Sequence, residues 1–372
     1  MIMSFSEIYK KIDQNKIKKI IYSATENDVE RILKKSRWSV DDFPYLVSPV
    51  AEKFIEQMAK ISRKITFLRF GKTIKLYAPL YVSNSCVNAC KYCGFNVNNK
   101  FPRITLSIDE VLKEADEIFS HGIGHILLVS GEDKKAVPVE YFEEIVKRLR
   151  EKFYAVSIEV YPMETEEYER LSKAGVTGIA VYQETYNLER YRELHKGPKA
   201  DFFYRLETPE RAAKAGFREL GLGTLFGLSD FRVDLSMVAI HARYLMKHYW
   251  KSQVAISFPR LRDAEGHFKP YEIVNDKQLA QVIFALRMVL NDVDIVLSTR
   301  ENPEFRDGMV GLGVTRISAG SKTNPGGYSV HTDALKQFEI ADERSPEEIA
   351  RMIEEKGLEP VWKDFDKSFL FD

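Results

Sequence analysis

The chain has 372 residues, of which 44% are hydrophobic, and its 55 basic residues balance 55 acidic ones. A chain of this length buries roughly three quarters of the surface that it exposes when unfolded, so it can form one large core. The balanced charge gives no electrostatic basis for nucleic acid or an anionic membrane as a main partner. No apolar run reaches the ~20 residues that span a bilayer, and the charged N-terminus lacks the apolar segment of a secretory signal. We therefore expect a cytoplasmic protein.

Residues 1–70 carry helical patterns, and a capping box at Thr25–Asp28 marks one helix start. From residue 77 onward, short β-rich runs alternate with amphipathic stretches. The predicted strands are 77–83, 125–130, 155–160, 178–183, 219–226, 253–258, 293–298 and 313–318. The predicted helices between them are 107–121, 139–152, 164–174, 208–216, 236–251 and 276–291. Eight strands that alternate with helices favour a parallel sheet closed into an α/β, TIM-type (β/α)8 barrel.

We predict three parts in this chain: an N-terminal helical extension over 1–70, the barrel over 71–320, and a C-terminal segment over 321–372 that closes it. In such a barrel the chemistry lies at the carboxyl ends of the strands. The unusual polar residues do follow predicted strands, and they are the cysteines after the first strand, Gly131 and Glu132, Glu159, Gln183 and Glu184, Gly227, Arg260 and Arg300.

All three cysteines fall within eight residues, as Cys86, Cys90 and Cys93. An odd, clustered set is not a disulfide framework and indicates metal ligands instead. Three thiolates on a compact loop suit three corners of a four-iron cluster and leave one iron open, which is typical of catalysis. A structural zinc site with a histidine ligand is the alternative, but the nearest histidine in the sequence is His121.

The Cys-x3-Cys-x2-Cys spacing, followed by Gly94-Phe95 after the first strand of an α/β barrel, resembles the radical S-adenosylmethionine (SAM) superfamily. The resemblance implies one [4Fe-4S] cluster held by the three cysteines, with an open iron that chelates the amino and carboxylate groups of SAM. One electron then cleaves SAM to a 5′-deoxyadenosyl radical and methionine, so the cofactors carry the hard chemistry.

The same resemblance assigns SAM contacts around the mouth of the barrel. Gly131 and Glu132 resemble the element that receives the methionine amino group, and Arg205 matches a position that binds the SAM carboxylate in biotin-synthase-like members. The alternatives are an ordinary turn for the glycine and a surface arginine at a helix start. The implied cofactor-binding set is Phe95, Gly131, Glu132, Glu159, Gln183, Glu184, Arg205, Gly223 and Gly227.

Longer segments between about residue 80 and residue 366 are similar to the tyrosine-lyase family of this superfamily. They are CVNACKYCGFN, LLVSGE, VYQETY, DFFYRLETPER, GLSD, HYW, SFPRLR, LSTRE, SKTNPGGY and PVWKDFD. The resemblance implies cleavage of the Cα–Cβ bond of L-tyrosine to 2-iminoacetate (dehydroglycine) and p-cresol, for thiamine thiazole biosynthesis. It also implies thiazole synthase as a partner and a flavodoxin- or ferredoxin-type electron donor.

A tyrosine substrate needs its carboxylate fixed, and Arg300 is the candidate because a guanidinium holds a carboxylate through two hydrogen bonds. The alternative is an ion pair with Glu301 or Glu304. Further candidate substrate contacts are Tyr81, Ser318 and Ser321, for which core packing or turn capping is the alternative. No catalytic base is assigned, and the residues left open are Glu159, Glu184 and His331.

Three other functions stay open at this point. A related lyase that acts on tryptophan differs only in pocket details that a sequence does not show. The tyrosine lyase of hydrogenase cofactor assembly uses a second cysteine cluster, whereas no cysteine follows Cys93 here. A passive iron–sulfur electron carrier is disfavoured by the missing fourth ligand and by the size of the barrel.

Overall fold

The computed structural model describes residues 3–363, and its centre is a closed barrel of eight parallel strands. The strands are β1 Thr73–Ser83, β2 His125–Ser130, β3 Ala155–Glu159, β4 Gly178–Ala180, β5 Glu219–Gly223, β6 Gln253–Ser257, β7 Asp294–Leu297 and β8 Arg316–Ser318. Each pairs in parallel with the next, and β1 pairs with both β2 and β8, which closes the barrel. The predicted (β/α)8 fold is confirmed.

A ninth strand, β9 (Glu359–Val361), was not predicted. It pairs in parallel with the first residues of β1, where Thr73 lies opposite Glu359. Together with the pairing of Lys75 and Leu76 with β8, it extends β1 four residues ahead of its predicted start at residue 77. Several other strands end earlier than predicted. Strand β4 ends at Ala180, although Glu184 beyond it still forms an isolated parallel bridge with Thr224.

Fifteen α-helices lie in the described residues 3–363. They are α1 Phe5–Tyr9, α2 Gln14–Ser23, α3 Glu26–Leu33, α4 Phe43–Leu46, α5 Ile55–Phe70, α6 Ile108–Ser120, α7 Val139–Leu149, α8 Thr165–Ala174, α9 Leu188–Leu194, α10 Phe202–Leu206, α11 Thr208–Lys214, α12 Phe231–His248, α13 Asp276–Val289, α14 Pro303–Met309 and α15 Pro346–Glu355. The six predicted helices correspond to α6, α7, α8, α11, α12 and α13. The helix predicted at 236–251 begins five residues earlier because Asp230 caps it by accepting a hydrogen bond from the Val233 amide.

Helices α1–α5 lie N-terminal to the barrel, and α3 begins with the predicted capping box. The Thr25 side chain accepts from the Asp28 amide, and the Asp28 carboxylate accepts from the Thr25 amide. Helices α2 and α4 pack on α12, and α5 packs on α13. The division of the chain at residues 70 and 320 stays a prediction, and the last residues of the PVWKDFD segment, 364–366, lie outside the described residues. Across residues 3–363, every helix is too short or too polar to cross a membrane.

After β8 the chain passes back over the barrel mouth before it enters α15, and Glu114 on α6 holds this passage in place. Glu114 is fully buried. Its carboxylate accepts hydrogen bonds from the amides of Tyr328, Ser329 and Val330 and from the Ser329 hydroxyl, at 2.6 to 2.9 Å. One buried anion therefore satisfies the backbone donors of a turn that has no sheet or helix to pair with.

We predict that Glu114→Ala destabilises the protein by about 3 kcal/mol or more, because each buried donor left without an acceptor costs about 1–3 kcal/mol. Urea unfolding followed by circular dichroism measures the change. Asp116→Ala on the same helix is the matched control, since Asp116 is 56% exposed and its ion pair with Lys152 lies at the surface. Equal losses in the two variants would contradict this account of Glu114.

Candidate active site

A cavity opens where the carboxyl ends of the barrel strands meet, and its empty volume, including the open mouth, is ≈ 1030 Å³. Seven residues predicted from the sequence line it, and they are Tyr81, Cys93, Glu159, Glu184, Arg300, Ser318 and Ser321. The other predicted residues lie around this cavity without lining it, and they are Cys86, Cys90, Phe95, Gly131, Glu132, Gln183, Arg205, Gly223 and Gly227. His331 is also outside the cavity, where it pairs with Glu110.

The cysteine loop follows β1 and has no regular secondary structure, so its carbonyl groups need other donors. Arg103 supplies them, because its guanidinium donates to the carbonyl oxygens of Asn84, Phe95, Asn96 and Asn99 at 2.7 to 3.2 Å. One cation thereby fixes the path of the loop that carries all three thiols.

The three thiols lie close enough to influence one another. Burial raises the pKa of both Cys90 and Cys93, the neighbouring cysteine sulfurs raise it further, and the charge of Lys199 opposes both effects. Within residues 3–363, no three histidine, cysteine or acidic side chains converge on the position of a single metal ion. A four-iron cluster does not require such convergence, because each thiolate binds a different iron. The donor set therefore fits a cluster, whose negative charge Lys199 and Arg103 would offset.

A network of four buried charges adjoins the cysteine loop. Arg205 donates to Glu132 at 2.8 Å, and Lys199 donates to Glu184 at 2.8 Å. Asn88 of the cysteine loop donates to the second oxygen of Glu132 at 2.9 Å. Arg205 is only 6% exposed, so the alternative of a surface arginine is wrong. Each charge has a partner of opposite sign, as burial requires.

Glu184 occupies a strained position within this network. Its φ of 68° is left-handed, and Glu184 and His267 are the two non-glycine residues with positive φ in the described chain. Such strain concentrates at functional sites. Burial opposes its ionisation, but Lys199 and Arg205 hold the pKa of Glu184 below its ordinary value. The neighbouring Gln183 does not face the cavity, because its amide donates to the carbonyl oxygen of Phe202 in α10.

Two of the predicted glycines lie where two backbones pass at close range. A Cβ on Gly131 would lie 2.1 Å from the carbonyl oxygen of Ser85, and one on Gly223 would lie 2.1 Å from that of Ser257. Gly227 instead adopts a left-handed φ of 110°. In each case the protein backbone itself requires glycine, so these positions do not by themselves indicate a bound cofactor.

Arg300 lines the same cavity as Glu184 and Lys199. Its guanidinium carbon lies 3.3 Å from the centroid of the Phe338 ring. Glu301 pairs with Arg260 and Arg262 rather than with Arg300, so the alternative of an ion pair with Glu301 is wrong. In the described part of the chain Arg300 has no ion pair, and burial lowers its pKa against the opposing effect of Tyr81 and Glu159. Its donors are available to a ligand.

The other predicted substrate contacts differ in how far their polar atoms are already used. Ser318 accepts a hydrogen bond from the Thr299 amide at 3.1 Å. The hydroxyl of Ser321 is buried and has no hydrogen-bond partner among residues 3–363. Tyr81 donates its hydroxyl to Gln337 at 2.8 Å. Of these three predicted contacts, Ser321 is the one whose hydroxyl has no partner within the described residues.

Sequence reasoning missed five prominent residues of the cavity wall, namely Tyr182, Lys199, Thr224, Gln337 and Phe338. Tyr182 and Thr224 lie inside segments that were predicted as strands, and the alternation of side chains along a strand could have identified them as facing the barrel interior. Gln337 and Phe338 lie in a stretch without a motif or regular secondary structure, and no pattern in the sequence marks them.

Comparison with known proteins identifies the family to which this fold and this site belong. The profile of the Radical SAM superfamily matches residues 80–234, and that of the Biotin and Thiamin Synthesis associated domain matches residues 257–359. The barrel and its cysteine loop thus define a radical SAM enzyme, a class that carries a [4Fe-4S] cluster and SAM.

The chain is 44% identical to the 2-iminoacetate synthase of Escherichia coli (strain K12) over 365 residues, which cover 98% of this chain and 97% of that protein. The chain belongs to the 2-iminoacetate synthase family of radical SAM lyases, which confirms the resemblance seen in the sequence. The hydrogenase maturase HydG of Carboxydothermus hydrogenoformans superposes with a TM-score of 0.84 at 34% identity, covering 96% of this chain and 82% of that one. Methylornithine synthase shares the fold, with a TM-score of 0.71 at 20% identity.

We predict that Glu159→Gln stabilises the protein more at pH 8 than at pH 5. Burial and the nearby charge of Glu184 raise the pKa of Glu159 to about 7 from its ordinary 4.5. A carboxyl whose pKa is raised by folding contributes stability at low pH and loses it as the pH rises from about 4.5 to about 7. The glutamine amide does not ionise, so Glu159→Gln does not lose folding stability as the pH rises through this range.

Urea unfolding of both proteins, free of SAM, measures the difference in unfolding free energy at each pH. Exposed Glu169→Gln on α8 is the control, and we expect it to leave the pH dependence unchanged. If Glu159→Gln also leaves it unchanged, the carboxyl does not titrate in this range.

Proposed function

We propose that this chain cleaves L-tyrosine at the Cα–Cβ bond to give 2-iminoacetate and p-cresol, with SAM converted to 5′-deoxyadenosine and methionine, for the thiazole of thiamine. The observation that carries the proposal is the 44% identity to 2-iminoacetate synthase over 98% of the chain. The cavity agrees with it, because a cationic clamp without a carboxylate partner and a cluster cysteine line the same space.

Cys86, Cys90 and Cys93 would hold the cluster and leave one iron open. With SAM bound there, the cluster supplies the electron that generates a 5′-deoxyadenosyl radical. Glu132, Glu184 and Arg205 would exchange part of their mutual pairing for contacts to the charged methionine end and the ribose of SAM. The buried network already provides both signs of charge for a zwitterionic ligand.

The substrate would lie where Arg300 and Ser321 line the cavity. Arg300 would hold its carboxylate through two hydrogen bonds, and the unpartnered hydroxyl of Ser321 would add a third. Tyr81 would contact the amino group and so keep the substrate nitrogen, rather than its weaker benzylic C–H bonds, toward the radical. The carboxyls of Glu159 and Glu184 both reach the cavity, and we assign neither as the base.

The product and the cofactor define two partners by their chemistry. 2-Iminoacetate hydrolyses in water to glyoxylate, so we propose direct transfer to a thiazole synthase. The three cysteines suffice for a single cluster, so the reducing electron must come from another protein, for which we propose a flavodoxin- or ferredoxin-type donor.

The proposal is tested on anaerobically reconstituted protein supplied with dithionite, SAM and tyrosine, with products identified by mass spectrometry. We expect 5′-deoxyadenosine, p-cresol and glyoxylate together from the wild type, and none of them from Cys93→Ala. Deoxyadenosine without p-cresol would exclude tyrosine as substrate, and the assay is then repeated with tryptophan. Intact SAM beside a loaded, reduced cluster would contradict the lyase and favour an electron carrier.

We predict that Arg300→Ala lowers kcat/KM for tyrosine by roughly 100-fold or more, since a charged hydrogen-bonded pair contributes about 1.5–3 kcal/mol or more. Binding of SAM, measured by equilibrium dialysis, is expected to stay within a factor of three because the SAM-side network is elsewhere. Arg190→Ala is the control, as Arg190 pairs with Glu193 outside the cavity. An Arg300→Ala enzyme with the wild-type KM and kcat would remove Arg300 from the substrate site.

A further inference from the structure

Residues 336–342, here called the strap, cross the barrel mouth between the cysteine loop and the loop after β7. The Thr323 carbonyl oxygen accepts a hydrogen bond from the Gln337 amide at 2.9 Å. The Thr323 hydroxyl donates to the Phe338 carbonyl oxygen, also at 2.9 Å. The Thr299 carbonyl accepts from the amides of Ala341 and Asp342, at 2.9 and 3.1 Å. The strap is therefore hydrogen-bonded along its length rather than lying loosely over the cavity.

The strap also contacts the cysteine loop directly. A Cβ added to Gly94 would lie 2.6 Å from the carbonyl oxygen of Gln337, so the two backbones meet with no room for a side chain. Gly94 follows Cys93 in the sequence. The position of Gln337 is thereby fixed relative to the cysteine that lines the cavity.

The Gln337 side chain joins two groups that the reaction uses. Its carbonyl oxygen accepts the Tyr81 hydroxyl at 2.8 Å, and its amide nitrogen donates to the Cys93 sulfur at 3.7 Å. The orientation of the amide follows from chemistry, because the opposite orientation would aim a carbonyl oxygen at a sulfur that carries negative charge when it binds iron. The next residue, Phe338, stacks on Arg300.

We propose that Gln337 is a positioning residue that joins the redox centre to the substrate pocket, with its N–H donating to the cluster ligand Cys93 while its C=O fixes the Tyr81 hydroxyl. Hydrogen bonds to cluster sulfurs withdraw negative charge and make a cluster easier to reduce. The amide of Gln337 thus raises the reduction potential of the cluster. This inference rests on the proposed ligation of the cluster by Cys93.

The test is a potentiometric titration of the reconstituted [4Fe-4S] protein, followed by electron paramagnetic resonance, without SAM or tyrosine. Gln337→Leu and Gln337→Met both remove the N–H donor without adding charge, and we expect both to shift the potential to more negative values. Tyr81→Phe removes only the other hydrogen bond of the Gln337 side chain, and we expect it to leave the reduction potential unchanged. Ile340→Val, also on the strap, is the control for general disturbance of the segment.

Iron and sulfide content and the thermal midpoint establish that each variant is folded and loaded. Gln337 variants that are fully loaded and keep the wild-type potential would overturn the inference, and so would a shift of the same size in Ile340→Val. If Gln337→Leu does not bind the cluster, the potential of Gln337→Met decides the question. If neither Gln337 variant binds the cluster while Ile340→Val does, the inference that Gln337 acts only on the reduction potential is also overturned. A wild-type protein that binds no cluster would instead reject the proposed function, so the two failures are distinct.

Discussion

Closure of the barrel at β1 is the constraint on which the site depends. Because β1 is hydrogen-bonded to β2 on one side and to β8 on the other, all eight strands release the chain at the same mouth. Residues that are more than 200 positions apart in the sequence, such as Tyr81 and Arg300, therefore line one cavity. The same closure takes their charges out of water, so each charged group needs either a partner within the protein or a ligand.

The charges at the mouth differ in whether they are already paired. Arg205 and Lys199 are matched by Glu132 and Glu184, so a ligand that binds them replaces existing contacts. Arg300 rests on the Phe338 ring and has no carboxylate partner among the described residues, so a ligand that binds it adds a contact. The paired charges suit a zwitterionic ligand, and the unpaired guanidinium suits a carboxylate.

Periodicity and spacing predicted those features that depend on residues close together in the sequence. The β-rich runs gave the order and position of all eight barrel strands, and the cysteine spacing gave the loop that adjoins the cavity. The extension of β1 to Thr73 was missed because its pairing partners, Arg316 in β8 and Glu359 in β9, lie more than 200 residues away in the sequence. The resemblance implied a cofactor contact for Gln183, and this stays a prediction, but the sequence did not show that its amide donates to the Phe202 carbonyl. Side-chain direction past the end of a strand depends on partners that a sequence does not show.

Two irregular segments lie at the mouth, the cysteine loop and the returning C-terminal chain. Neither has a sheet or helix that would satisfy the hydrogen-bonding groups of its backbone. Two charged side chains, the partly exposed Arg103 and the buried Glu114, satisfy these backbones in opposite ways. The Arg103 guanidinium donates to four carbonyl oxygens of the cysteine loop, whereas the Glu114 carboxylate accepts from three backbone amides of the returning C-terminal chain. The strap meets the cysteine loop at Gly94 and Gln337, and the Gln337 side chain spans Cys93 and Tyr81. The relative position of Cys93 and Tyr81 thus depends on irregular segments whose backbones are hydrogen-bonded to charged side chains.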